Sequence, residues 1–205
     1  MKRLTAILLI LIISLSVVGC NETKSPVGDP SKVEGVKKGK APSNEESKIG
    51  EEEVTLYIPE DFLYSTIQST VDDAKSKGAT DVVVYKDGSI SYKMPRDKYD
   101  IMIDNNRRAF EVSIADMVND YAVLSDIKYN EDFSHFDFYV DRQIYTNSGS
   151  TLLQETLYAG SKMIQMYLGK KPDKIKMSYA IYDAATNEKV ETGTFPDDLE
   201  AIYER

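Results

Sequence analysis

The sequence predicts an α+β domain over residues 54–205, with an antiparallel sheet and helices packed on one face of it. All 14 tyrosines and all 6 phenylalanines lie beyond residue 54, so only this part can build a large core. Segments with a two-residue apolar period alternate there with segments of helical period. Turn residues separate successive strand-like segments, as in hairpins. The predicted order is roughly β-α-β-β-α-β-β-α-β-β.

The first strand and helix follow from their boundaries. The segment "VTLYIP" predicts a strand that Pro59 ends. Leu63, Ile67 and Val71 recur at four-residue spacing, which predicts a helix, and Gly78 is its expected end.

A hairpin is predicted next, in the segment "DVVVYKDGSISYKM". Asp87 and Gly88 suit a two-residue type I′ turn, in which both residues have positive φ. Pairing about that turn places four side chains on one face: Val83, Tyr85, Ile90 and Tyr92.

The rest of the domain repeats this alternation. A helix beginning near Pro95 carries the apolar stripe Tyr99, Met102, Ile103, Phe110, Ile114 and Met117. Strands "YAVLSDIKYN" and "SHFDFYVDR" follow, then a helix over Ser150–Leu168 that Gly169 caps. Strands are finally predicted at "KIKMSYAIYD" and "TNEKVETGTF".

The charge balance restricts the partners. The formal net charge is −9, and removing Lys2 and Arg3 leaves 23 basic against 34 acidic residues, or −11. This balance disfavours nucleic acid and electrostatic binding to anionic lipid.

The N-terminus has the pattern of an export signal. Lys2 and Arg3 precede a mostly apolar run from Leu4 to Val18, too short for the roughly 20 residues of a spanning helix. The run ends in Val-Val-Gly before Cys20, which resembles the lipobox of bacterial lipoproteins. The resemblance implies a signal peptide at 1–19, cleavage before Cys20 and acylation of its thiol. The alternative is an ordinary signal peptide or anchor helix with an incidental cysteine.

A polar segment separates the leader from the domain. Residues 21–53 are rich in Lys, Glu, Ser, Gly and Pro and contain no aromatic residue. Such a composition predicts a disordered tether over 20–53, counted from the lipidated cysteine, with an average reach of about 30 Å. A segment that folds on a partner is the alternative.

Short motifs in the domain resemble a group of uncharacterised lipoproteins from Gram-positive Firmicutes. The motifs are "YIPEDF" at 57–62, "YKDGSISYKM" at 85–94 and "YDAATNEKV" at 182–190. The last turn has Asn187 where that group more often has glycine. The resemblance implies a lipid-anchored α+β domain and carries no catalytic or binding residues with it.

Few residues offer catalytic chemistry. His135 is the only histidine and we expect it to be a solvated strand residue, since a metal site or a Ser-His-Asp triad needs further partners. Paired acids could hydrolyse wall glycans. The candidate groups are Asp72-Asp73, Asp97/Asp100/Asp104 and Asp197-Asp198. We expect no cofactor and no metal.

Tyrosines on polar strand faces are the candidate interaction surface. Tyr139 and Tyr182 fall on such faces, and Tyr129 is assigned to the same set. A tyrosine offers a rigid ring with a polar tip, which suits protein or glycan contact. The alternative is that these rings only fill positions in strands and in contacts between helices.

Together these features predict a non-enzymatic lipoprotein on the outer side of the cell membrane. Its expected partners are the membrane, through the lipid, and an envelope protein or glycan, with homodimerisation as a further option. The alternatives are an envelope hydrolase that uses acidic residues and a small solute receptor.

Overall fold

The computed structural model describes residues 28–40, 47–63, 65–148 and 151–197. The predicted signal peptide and Cys20 lie outside the described residues, and so does Asp198.

The described chain forms strands and helices in alternation. The strands are β1 (Lys37–Gly39), β2 (Lys48–Ile49), β3 (Glu53–Ile58), β4 (Asp81–Tyr85), β5 (Ile90–Pro95), β6 (Leu124–Tyr129), β7 (His135–Val140), β8 (Met177–Asp183) and β9 (Lys189–Phe195). The α-helices are α1 (Ile67–Ser76), α2 (Arg96–Asp120), α3 (Arg142–Ser148) and α4 (Thr151–Tyr167). Short 3₁₀ turns lie at Pro30–Lys32, Glu60–Phe62 and Pro172–Lys174. The α+β class is confirmed.

The described residues divide into two compact units, where the sequence predicts one domain over 54–205. Of the described residues, 28–40 and Tyr57–Tyr92 belong to the first unit, while 47–56 and the residues from Lys93 onward belong to the second. The prediction followed aromatic content, and aromatic residues lie on both sides of this division. Composition alone therefore did not reveal it.

Part of the predicted tether is folded. β1 pairs in parallel with β4, so that Lys37 lies opposite Val83, and the nearby Val33 is buried. Two side chains of α1 form hydrogen bonds with the backbone of this segment. Lys75 donates to the carbonyl of Gly35, and the Glu34 N–H donates to the Oε1 of Gln68. The tether prediction is wrong for these residues because it weighed apolar side chains, whereas strand pairing uses the backbone.

The predicted hairpin forms with a different turn. The Tyr85 N–H donates to the carbonyl of Ser89, so three residues and not two make the loop. Gly88 has a φ of 86°, and Asp87 is not in the positive-φ region. One extra loop residue shifts the pairing of the two strands by one position. Ile90 and Tyr92 therefore share the buried side with Val82 and Val84, and not a face with Val83 and Tyr85 as predicted.

The single antiparallel sheet is also corrected. The strands form a five-stranded sheet in the order β1-β4-β5-β3-β2 and a four-stranded sheet in the order β6-β7-β8-β9. Each sheet contains a parallel pair, β1 with β4 in the first and β7 with β8 in the second. In the second sheet the connection through α3 and α4 is long enough for a parallel crossover, which a hairpin loop is not.

Helices α2 and α4 cover one face of the four-stranded sheet. Their residues Ile114, Leu157 and Ile164 join Phe136 and Ile181 in one core. Helices on one face of the sheet were predicted, and the helix stripe of α2 is largely as expected: Tyr99, Met102 and Ile114 are buried.

The third predicted helix corresponds to α4. α4 begins at Thr151, one residue after the predicted start, and Gly169 follows it with a φ of 85° as a left-handed cap. The short helix α3 was not predicted. Among the described helices, none combines the length and apolar character needed to cross a bilayer.

Candidate functional site

The uncovered face of the four-stranded sheet is the candidate functional site. Directly opposite residues in neighbouring strands share a face, and the buried Phe136, Phe138 and Ile181 define the covered one. The other face, called the open face below, carries Asp126, Lys128, His135, Asp137, Tyr139, Ser178, Ala180, Tyr182, Lys189, Thr192 and Thr194. Most of these side chains are partly or fully exposed.

Two of the predicted tyrosines meet at the centre of the open face. Tyr139 and Tyr182 are opposite each other in the parallel pair β7–β8, and their rings stack with centroids 5.4 Å apart and planes at 19°. The register extends this pair to β6 and β9, where Asp126 is opposite Tyr139 and Lys189 is opposite Tyr182. A continuous row of four side chains therefore crosses the sheet.

Lysines cover the outer faces of both rings. The Lys128 Nζ lies 4.4 Å from the centroid of Tyr139 and 3.3 Å from its hydroxyl, to which it can donate. The Lys189 Nζ lies 5.4 Å from the centroid of Tyr182. Each ring is thus held between an ammonium group and the other ring. An incoming ligand meets ring edges and phenolic hydroxyls rather than free ring faces.

The open face is formally neutral on an acidic protein. It carries the carboxylates of Asp126 and Asp137 and the ammonium groups of Lys128 and Lys189. Among the described residues, no ion pair includes Lys128, Lys189 or Asp126. Charges left unpaired on an exposed sheet face are available to a partner.

His135 belongs to this face and bonds to two neighbours. Its Nδ1 is 2.8 Å from the Ser178 Oγ, and its Nε2 is 3.2 Å from the Asp137 Oδ1. The residue types are those of a hydrolytic triad. However, the Ser178 N–H donates to the carbonyl of Ser134 and cannot serve an oxyanion. The arrangement orders the face and does not favour the hydrolase.

The described members of the predicted acid groups are engaged in local contacts, those at 72–104 on helix surfaces and Asp197 in a turn after β9. Asp73 pairs with Lys77, Asp100 with Arg96 and Asp104 with Arg108, each one helical turn apart. Asp72 accepts from Gln68, Asp97 lies near Lys98 and Asp197 pairs with Lys176. Paired acids that serve as surface ion pairs give no support to glycan hydrolysis.

Tyr129 is not part of the open face. It lies opposite Phe136 on the covered side and stacks on Phe133 with centroids 5.0 Å apart. Partial burial raises the pKa of its phenol, and the nearby Glu111 carboxylate raises it further. The sequence placed all three tyrosines in one set, but the structure brings only Tyr139 and Tyr182 together.

The sequence patterns did not predict that the loop between β6 and β7 is a buried and hydrogen-bonded part of the fold. Phe133 is fully buried with a φ of 55°, a strained conformation for an aromatic residue. Its carbonyl accepts from the buried Ser161, whose hydroxyl accepts from Gln165. A salt bridge of 2.8 Å joins Lys170 to Asp132 in the same loop. Aromatic character predicted burial here, but no local pattern predicted the positive φ.

Concave sites give the receptor alternative little support. One of about 370 Å³ is lined by Arg107, Asn130, Glu131, Asp132 and Leu168, and another of similar size lies beside Lys75 and Asp81. Both open to solvent and include charged groups, unlike the apolar pockets that enclose small ligands. The described residues contain no group of three potential metal ligands.

Comparison with known proteins leaves the open face as the main guide. No family model, curated protein or solved structure matches the chain significantly. The resemblance to Firmicutes lipoproteins stays a prediction.

Proposed function

We propose that this chain is a lipid-anchored lipoprotein on the extracytoplasmic side of the cell membrane, with a non-enzymatic contact role at the envelope. The observation that carries the location is the order of signals at the N-terminus. A basic start, an apolar run and Val-Val-Gly before Cys20 follow one another without interruption.

The anchoring agrees with the charge of the protein. A chain with 34 acidic residues gains little attraction from anionic lipid, so stable attachment needs apolar chains. Each buried CH₂ contributes about 0.8 kcal/mol, and two acyl chains suffice where one does not. A diacylglyceryl group on Cys20 meets this requirement.

The contact role is supported by the open face. Its stacked Tyr139–Tyr182 pair, flanked by Lys128 and Lys189, concentrates aromatic edges, hydroxyls and unpaired charges on one exposed surface. Tyrosine is enriched in protein interfaces because it combines a rigid ring with a polar tip. The covered ring faces favour a protein partner over a glycan, which would stack on a free ring.

Metabolic labelling tests the anchor. We expect radiolabelled palmitate to enter the full chain in its native host, and Cys20→Ser to abolish the label and release the protein from membranes. Ser16→Ala is the matched control inside the leader and should leave both unchanged. A Cys20→Ser variant that binds vesicles as firmly as the wild type would refute lipid anchoring.

Crosslinking on live cells tests the contact role. Protein neighbours identified by mass spectrometry should be lost in the double variant Tyr139→Ala/Tyr182→Ala. Tyr121→Ala removes a more exposed tyrosine outside the open face and should retain them. Recovery of lipid and wall material alone from the wild type would contradict a protein partner.

A further inference from the structure

The central row of the open face has a self-complementary order. From β6 to β9 it reads acid, tyrosine, tyrosine, base: Asp126, Tyr139, Tyr182 and Lys189. Consider a second copy facing the first across a two-fold axis parallel to the strands, above the gap between β7 and β8. The axis reverses the row, so Asp126 faces Lys189 of the partner subunit and Tyr139 faces Tyr182 of the partner subunit. Isologous dimers require this kind of self-complementarity.

We propose that the open face binds a second copy of this chain, face to face, with this row at its centre. The inference rests on the proposed role of the open face as a contact surface and names the occupant. Two sheets that pack face to face keep their strands within about 30° of parallel, which the axis allows.

The charge distribution favours this occupant. Two copies of a chain with a net charge of −9, or −11 once Lys2 and Arg3 are removed, repel each other through most of their surfaces. The open face is formally neutral, and its Asp126 and Lys189 form no ion pair within the described part of the chain. A second copy supplies the opposite charge to both residues at once, twice per dimer.

The other rows do not oppose the pairing. The same axis places no like charges directly opposite each other. The facing positions are Lys128 with Thr192, Asp137 with Ala180, and His135 with Ser178. The small Ala180 leaves room for the carboxylate of the partner's Asp137.

The size of the face predicts a weak dimer. Four strands about 4.8 Å apart, with six or seven residues rising about 3.3 Å each, cover roughly 400 Å² per copy. Stable complexes bury about 800 Å² per partner. Association therefore depends on concentration, which confinement to a membrane raises. The test needs the lipidated full chain.

Reciprocal charge reversal provides the test. Full-length chains carrying two different fluorescent proteins after Arg205 are reconstituted in vesicles, and energy transfer reports self-association. Asp126→Lys alone and Lys189→Asp alone should each weaken it by about tenfold or more, because each homodimer then contains like charges in contact. Asp97→Lys and Lys174→Asp make the same charge changes at exposed helical sites off this face and should have no effect.

Mixing the two single variants gives the decisive result. In that mixed pair every charged position of the row again meets its opposite, so energy transfer should return toward the wild-type level. The dimer is refuted if the single variants associate like the wild type, or if the mixture does no better than either variant alone.

Failure of the dimer is separable from failure of the contact role. If the wild type shows no transfer, the second copy is excluded as the occupant. The contact role then depends on whether other crosslinked neighbours are lost in Tyr139→Ala/Tyr182→Ala.

Discussion

The two faces of the four-stranded sheet use aromatic residues in opposite ways. On the covered face, Phe136 and Phe138 are buried by helices and contact further rings at several angles. On the open face, Tyr139 and Tyr182 stack on each other, and lysines lie over their rings. Phe138 and Tyr139 are adjacent residues of β7, and Tyr182 lies on the neighbouring β8. Alternation thus separates a surface that holds the fold from one that is available for contact.

Replacing one residue of β7 from each face should give the largest difference between the faces. Phe136→Ala removes a fully buried ring and should reduce the free energy of unfolding by about 3–5 kcal/mol. Tyr139→Ala, three positions further and on the open face, should cost about 1 kcal/mol or less. Urea unfolding measures both. Equal losses would mean that the open face is a second core surface.

Acid should weaken the loop that joins β6 to β7 at the end of both faces. Partial burial raises the pKa of Asp132, but hydrogen bonds from Lys170 and Ser134 outweigh it and lower the pKa to about 2. Because the folded-state pKa lies below the unfolded value, this stabilisation is complete above about pH 4 and is lost as the pH falls toward 2. Solvent screening reduces its size to about 1 kcal/mol.

The Asp132 effect is measurable as a difference between variants. Asp132→Asn should flatten the dependence of unfolding free energy on pH between 4 and 2, relative to the wild type. Asp97→Asn, at a largely exposed carboxylate near Lys98, is the control. A wild-type slope that Asp132→Asn leaves intact would assign the acid sensitivity to other groups.

The smallest expected effect is the coupling within the tyrosine pair. A double-mutant cycle with Tyr139→Ala and Tyr182→Ala should give about 0.5 kcal/mol, within the range of cross-strand aromatic pairs. The cycle sharpens the comparison because Phe138 and Tyr179, an edge-on pair 6.2 Å apart on the covered face, provide the same measurement in the core. A coupling of zero for the tyrosines would show that the lysines alone position them.

Sequence reasoning succeeded where side-chain alternation decides the outcome. Phe136, Phe138 and Val140 alternate with polar residues, and this pattern correctly separated the buried from the uncovered side of β7. The same parity placed Tyr139 and Tyr182 on the uncovered side. It did not reveal their stacking, because strand order and the parallel pairing of β7 with β8 determine which residues become neighbours.

The errors arose where backbone geometry, rather than side-chain alternation, determines the structure. One additional loop residue before Ser89 changed which β4 residues share a face with Ile90 and Tyr92, and the left-handed Phe133 has no signature in composition. Tyr129 was grouped with the other tyrosines because its strand, interrupted by an irregularity between Leu124 and Asp126, does not alternate cleanly. Strand β1 was missed because Lys37 and Lys38 contribute peptide groups rather than apolar surface.

The attachment of β1 to β4 limits how far the first folded unit can move away from the proposed lipid on Cys20. Only 13 residues separate Cys20 from the buried Val33, whereas 34 separate it from Val54, where the fold was expected to begin. At about 3.5 Å per extended residue, the longest excursion falls from roughly 120 Å to roughly 45 Å. The volume accessible to the first folded unit shrinks about twentyfold. With the proposed lipid on Cys20, the first folded unit would therefore contact molecules close to the bilayer surface and few that lie farther from it.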